Sequence, residues 1–195
     1  MDMIQAIGRR AVLQGAAGLI VAPTALTGVV ASAAEVGPPK VDPLGKPGDF
    51  DFLTGEWRIH NRMIKPGTAS EWIEFPGEAT VRAILGGVCS VEELRIPARD
   101  FSGMGLRLLD VEKRVWSDHW VNGKSGVVVV PGQLGVFRGG VGTFESEEMD
   151  GGTRVSVRGI WDRITPVSHR WYQTMSRDGG KSWVENWYMD WTRVG

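Results

Sequence analysis

Cysteine is nearly absent from this chain: Cys89 is the only one in 195 residues, so no intrachain disulfide braces the fold. Histidine is almost as scarce. His60, His119 and His169 lie in three separate segments without a close His, Asp or Glu cluster, a poor zinc signature. Neither sign of charge dominates: 22 Lys and Arg stand against 23 Asp and Glu, a formal net of −1. That balance argues against nucleic acid as a partner, which favours a basic stripe. There is no G-x-S-x-G elbow, Ser/His/Asp order or nucleotide-binding loop, so no catalytic residue is assigned. No stretch supports a helix longer than two turns. Tyrosine is held to two residues, while tryptophan reaches nine.

The first residues read as an address. Arg9-Arg10 precede a weakly apolar run from Gly15 to Val30, and Ala31-Ser32-Ala33 follow as an A-x-A cleavage site. This is similar to a twin-arginine signal peptide over 1–33 and implies export to the periplasm or beyond, with Arg9 and Arg10 read by the export machinery. The alternative is an uncleaved anchor, because about twenty apolar residues can cross a bilayer. Glycines, Pro23 and threonines make the run a mediocre span, so no lasting membrane insertion is expected. Residues 34–49, with Pro38, Pro39, Pro43 and Pro47, read as an extended tether. The folded domain is expected over 50–195, with a short turn at Phe50 to Leu53 closing its bottom.

From Gly55 the pattern has period two, punctuated by turns every ten to fifteen residues, an all-β signature. Strands are expected at 55–64, 70–84, 87–96, 102–110, 114–122, 134–147, 153–161, 168–177 and 182–193. Short connections imply a meander, and a twisted meander of about nine or ten strands closes on itself. The expectation is a single antiparallel up-and-down β-barrel. Gly123 to Gly132, with valine at 127–130, reads as an extra strand or an apolar lip.

Spacing by two places large rings and polar groups on common strand faces. Trp72 goes with Glu74, Trp116 and Trp120 with Asp118, Trp171 with Gln173, and Trp187 with Glu185. Indoles interleaved with carboxylates and an amide make a poor dry core and fit a cavity wall. Arg107 is a candidate partner for a buried acid. The expected ligand is a small, mainly apolar molecule with one polar end, held by Trp72, Glu74, Arg107, Trp116, Asp118, Trp120, Trp171, Gln173, Glu185 and Trp187. No cofactor or metal is expected.

Asp49-Phe50-Asp51-Phe52-Leu53-Thr54-Gly55-Glu56-Trp57-Arg58 resembles the opening of the bacterial DUF1579 family of uncharacterised proteins. Leu85-Gly86-Gly87, Trp116-Ser117-Asp118-His119-Trp120, Gly140-Val141-Gly142-Thr143-Phe144 and Arg170-Trp171-Tyr172-Gln173 follow in the same order. The resemblance implies a calycin- or lipocalin-like barrel and brings no established activity. It also implies that Trp57 plugs the closed end with Arg193 packed across its ring, a structural pair.

Two other readings use the same lumen. One is an enzyme of hydrolase, isomerase or cyclase type, with Asp118 and Glu185 as an acid/base pair. The other is a haem-binding barrel through His169, the only histidine in step with Trp171 and Gln173. Ser176 to Trp183 looks like a single sialidase-type Asp-box; it reads as a hairpin in which Asp178 binds turn amides.

Overall fold

The computed structural model describes residues 44–195. Ten strands make up most of it: β1 (Gly55–Ile64), β2 (Trp72–Ile84), β3 (Cys89–Ile96), β4 (Phe101–Asp110), β5 (Val115–Asn122), β6 (Gln133–Arg138), β7 (Val141–Asp150), β8 (Thr153–Asp162), β9 (Ser168–Ser176) and β10 (Val184–Arg193). Each pairs antiparallel with the next, and β10 pairs with β1, so the sheet is a closed up-and-down barrel. Closure removes the open edges that a flat sheet of these strands would present. The expected signal peptide, with Arg9 and Arg10, lies outside the described residues, as does most of the tether.

One expected strand is two. The stretch 134–147 breaks at Gly139 and Gly140, whose φ values of +55° and +81° make a two-residue reversal between the paired Arg138 and Val141. Only glycine takes both positive angles without cost, and this turn type matches the twist of a hairpin. The described end of the expected tether is bonded to the barrel rather than loose. The Gly45 amide donates to Arg114 O at 2.7 Å, and the Gly48 amide to Gly87 O at 2.9 Å. The valine segment forms a lip: Val128 makes an isolated bridge to Val121, and the Val129 amide donates to Trp120 O at 2.8 Å.

Alternation decides which side chains enter the lumen. In β1 these are Trp57, Ile59, Asn61 and Met63, all buried, while Glu56, Arg58, His60 and Arg62 face solvent. In β4 the inward set is Phe101, Gly103, Gly105, Arg107 and Leu109. One end is sealed. Phe50 and Leu53, flanking and ending the 3₁₀ turn Asp51–Leu53, are fully buried in a cluster with Trp116, Phe144 and Trp161. Phe50 meets the Trp116 ring edge-on with centroids 4.9 Å apart, and the Trp116 indole N–H donates to Asp49 Oδ2 at 3.1 Å. The Trp57 N–H donates to Leu53 O at 2.6 Å, and the Arg193 guanidinium lies over the Trp57 ring at 4.2 Å.

The Asp178 hairpin is also in place. Its Oδ1 accepts the amides of Ser182 and Lys181 at 2.9 and 3.0 Å, and these bonds, led by the Ser182 amide and joined by the hydroxyls of Ser182 and Ser176, hold its carboxyl down to about 2.

Candidate ligand cavity

Above the sealed end the lumen is not completely filled. A cavity of about 90 Å³ is lined by Trp120, Trp161, Trp171, Trp187, Trp191, Phe101, Leu94 and Met189, with Glu92, Arg107 and Asp118 as its charged groups. Two glycines create this arrangement. A β-carbon on Gly103 would collide with the Trp120 ring, and one on Gly105 would stand 2.9 Å from Arg107 Nη2 and 3.2 Å from Nη1. The guanidinium therefore lies flat against bare backbone, which only glycine permits.

Arg107 and Asp118 face each other directly across β4 and β5. Arg107 Nη2 donates to Glu92 Oε2 at 2.5 Å, and its Nε approaches Asp118 Oδ2 at 3.5 Å, the Arg107 and Glu92 side chains being 5% and 3% exposed. Its Nη1 has no hydrogen-bond partner among the described residues. The guanidinium carbon sits 5.4 Å from the Phe50 ring centre and 5.1 Å from that of Trp161, between the plug and the cavity. Burial pushes Asp118 above the ordinary carboxyl range; Arg107 opposes the shift and Glu92 adds to it. Burial alone would lower Arg107, but the charges of Asp118 and Glu92 hold it above its ordinary value. Two acids compete for one permanent cation. Glu92 keeps the closer contact, and Asp118 is the member whose pKa burial raises.

Of the expected site residues, the structure brings Arg107, Asp118, Trp120, Trp171 and Trp187 to the cavity wall. Gln173 faces inward beside them and donates to Asn186 Oδ1 at 3.1 Å. Trp116 is fully buried in the seal below. Three expected residues stand outside the barrel. Trp72 is 38% exposed and lies against the Tyr188 ring and the Arg62 guanidinium. Glu74 bonds the outward His60 at 3.1 Å. Glu185 accepts a hydrogen bond from the Tyr188 hydroxyl on the outer face. For Trp72 and Glu74 the cause is phase, since β2 turns Phe75, Gly77, Ala79 and Val81 inward. For Glu185 the cause is a β-bulge between Glu185 and Trp187, which breaks the step of two and puts Asn186 next to Gln173. The expected acid/base pairing of Asp118 with Glu185 is thereby lost.

Sequence reasoning missed Glu92 and Trp161. Glu92 shares its parity with the buried Leu94 and Ile96, and Trp161 with Val155 and Val157. Adjacent Glu92-Glu93 in a strand obliges one carboxylate to face inward, and that signal was present.

His169 faces inward but not into free space. Its ring lies 4.4 Å from that of Trp57, 4.9 Å from Trp191, 5.2 Å from Phe52 and 5.6 Å from Trp161. This enclosure leaves no room for a haem face, so the residues present do not fit haem ligation through His169. Burial and the charges of Arg107 and Arg193 push its pKa down to about 3. Among the described residues no group of three His, Cys, Asp or Glu side chains is placed to hold a metal ion.

No family model matches the chain, and no curated protein sequence does. Solved structures do resemble it. Rv2717c from M. tuberculosis is 13% identical with a TM-score of 0.48, over 75% of this chain and 95% of that one. The S-type phycobiliprotein lyase CPES from Guillardia theta is 11% identical with a TM-score of 0.45, over 75% and 90%. A DUF3598-family protein of unknown function from Nostoc punctiforme is 12% identical with a TM-score of 0.43, over 78% of this chain and 50% of that one.

Proposed function

We propose that this protein is an exported, DUF1579-like barrel that holds a small, mainly apolar molecule with one polar end in its tryptophan-lined lumen. The observation that carries this reading is the meeting of indole walls with a buried guanidinium whose Nη1 has no partner among the described residues. Ring faces supply contact area at little entropic cost, and a desolvated donor orients one polar atom. The free volume of about 90 Å³ sets the scale of the ligand. Pockets for drug-sized ligands run to about 300–1,000 Å³, and a cavity of about 150 Å³ takes benzene. The space therefore suits a compact molecule no larger than one small ring.

The twin-arginine pattern at Arg9-Arg10 and the Ala31-Ser32-Ala33 site support export to the periplasm or outside the cell. Native mass spectrometry of protein recovered from the exported fraction tests both halves. A mass beginning after Ala33, with a bound compound lost on collisional activation, supports the reading. Cytoplasmic retention of the intact chain refutes the export half. Recovery of ligand-free protein that also fails to bind small apolar probes refutes the binding half. Turnover of a bound compound, rather than its retention, would move the assignment to an enzyme using the same cavity.

A further inference from the structure

Resting on that reading, the charge pattern of the cavity identifies the ligand's polar end. We propose that the cavity receives a neutral compound of about one small ring bearing a carbonyl group, its oxygen accepting a hydrogen bond from Arg107 Nη1.

Three observations converge. The Arg107 side chain is only 5% exposed, lines the cavity, and offers an N–H with no acceptor among the described residues. A buried donor without a partner favours whatever ligand brings an acceptor. The groups around it then discriminate by charge. A ligand carboxylate would be a third acid beside Glu92 and Asp118, which already share one guanidinium at 2.5 and 3.5 Å. A ligand ammonium would meet the guanidinium itself. In a lumen of low polarity both ionic arrangements are costly. A carbonyl adds no charge and accepts the unpaired N–H. The rings of Trp120, Trp171 and Trp187 enclose the hydrocarbon part.

The experiment is a calorimetric titration of the folded protein with four probes of one size: cyclopentanone, methylenecyclopentane, cyclopentanecarboxylate and cyclopentylamine. The ketone is expected to bind at least about tenfold more tightly than each of the others, the scale of one hydrogen bond to a charged donor. Gly105→Ala keeps the backbone but pushes the guanidinium aside, and is expected to bring the ketone down to the level of methylenecyclopentane. Equal binding of ketone and alkene overturns the carbonyl assignment and leaves the apolar cavity standing. Preference for the carboxylate or the amine overturns it likewise. Binding of none of the four overturns both the assignment and the function it rests on.

Discussion

Arg193 lies flat across the indole of Trp57, its guanidinium carbon 4.2 Å from the ring centre, although 136 positions separate them in the chain numbering. The two residues are register partners of β1 and β10, so the contact spans the seam where the barrel closes. The guanidinium also donates to Pro166 O at 2.7 Å, Thr54 O at 2.7 Å and Phe52 O at 3.2 Å. One side chain thus ties the first strand, the last strand, the sealing turn and the β8–β9 connection. Gly55 must be glycine for this to work, because its φ is +131° and a β-carbon there would strike Arg193 Nη1.

Removing this tie should be felt in stability rather than in binding. Arg193→Leu is expected to lower unfolding free energy by about 1–3 kcal/mol, the combined scale of a stacked guanidinium and its carbonyl bonds. Arg193→Lys is expected to recover only part, since an ammonium cannot span three carbonyls in one plane. Chemical denaturation of the wild type and the two variants checks the order. Equal midpoints for the wild type and Arg193→Leu would show that the seam closes without the guanidinium.

His169 predicts an acid-sensitive fold. Its folded pKa of about 3 lies below the ordinary imidazole value near 6.5, so the folded state holds it neutral while the unfolded state protonates. The associated stability is fully present above about pH 6.5 and is lost as pH falls toward 3, at up to about 1.4 kcal/mol per pH unit. His169→Phe retains a ring among Trp57, Trp161 and Trp191 and removes the proton. Its stability curve should be flatter than wild type between about pH 6 and pH 4, when unfolding is followed at several pH values. Parallel curves would contradict a neutral, enclosed imidazole. The same enclosure predicts that haem titration yields no absorbance band dependent on His169.

The Glu92–Arg107–Asp118 group should tolerate loss of its cation poorly. Arg107→Met leaves two acids facing each other in the lumen and is expected to cost about 3–5 kcal/mol. Arg107→Met combined with Glu92→Met and Asp118→Leu removes the uncompensated acids and should recover most of that loss. Asp118→Asn acts in the opposite sense. Because burial raises the Asp118 pKa, its contribution is present at low pH and is lost as pH rises through the folded value. The amide should therefore stabilise the protein more at about pH 7 than at about pH 3, below the ordinary carboxyl value. Denaturant unfolding at the two pH values checks this, and an equal effect at both would contradict a raised Asp118 pKa.

Much of the barrel was legible in the sequence because a period of two with turn punctuation survives any tertiary context. In the run from Gly55 to Met63 that period sets Trp57, Ile59 and Met63 on one face, the face that turns inward. What failed was local phase. In β2 the large Trp72 ring outweighed the smaller set Phe75, Gly77, Ala79 and Val81, whose common parity fixes the inward face. Trp72 stays outside because Arg62 and Tyr188 cover its ring there. The bulge at Asn186 is invisible to any count by twos, and it alone moved Glu185 out of the lumen. The Gly139-Gly140 reversal was written plainly in glycines yet lay inside an otherwise unbroken alternation. Inward glycines carried a further signal: Gly103 and Gly105 mark where Trp120 and Arg107 fold over bare backbone.

The central claim is that the lumen, and not the outer aromatic surface, takes up the ligand. The most direct measurement follows the indole N–H signals of all the tryptophans by two-dimensional NMR as cyclopentanone is added. Saturable shifts are expected for Trp120, Trp171 and Trp187, with Trp72 and Trp183 unmoved. Shifts confined to Trp72 and Trp183, or none at any tryptophan, would contradict it.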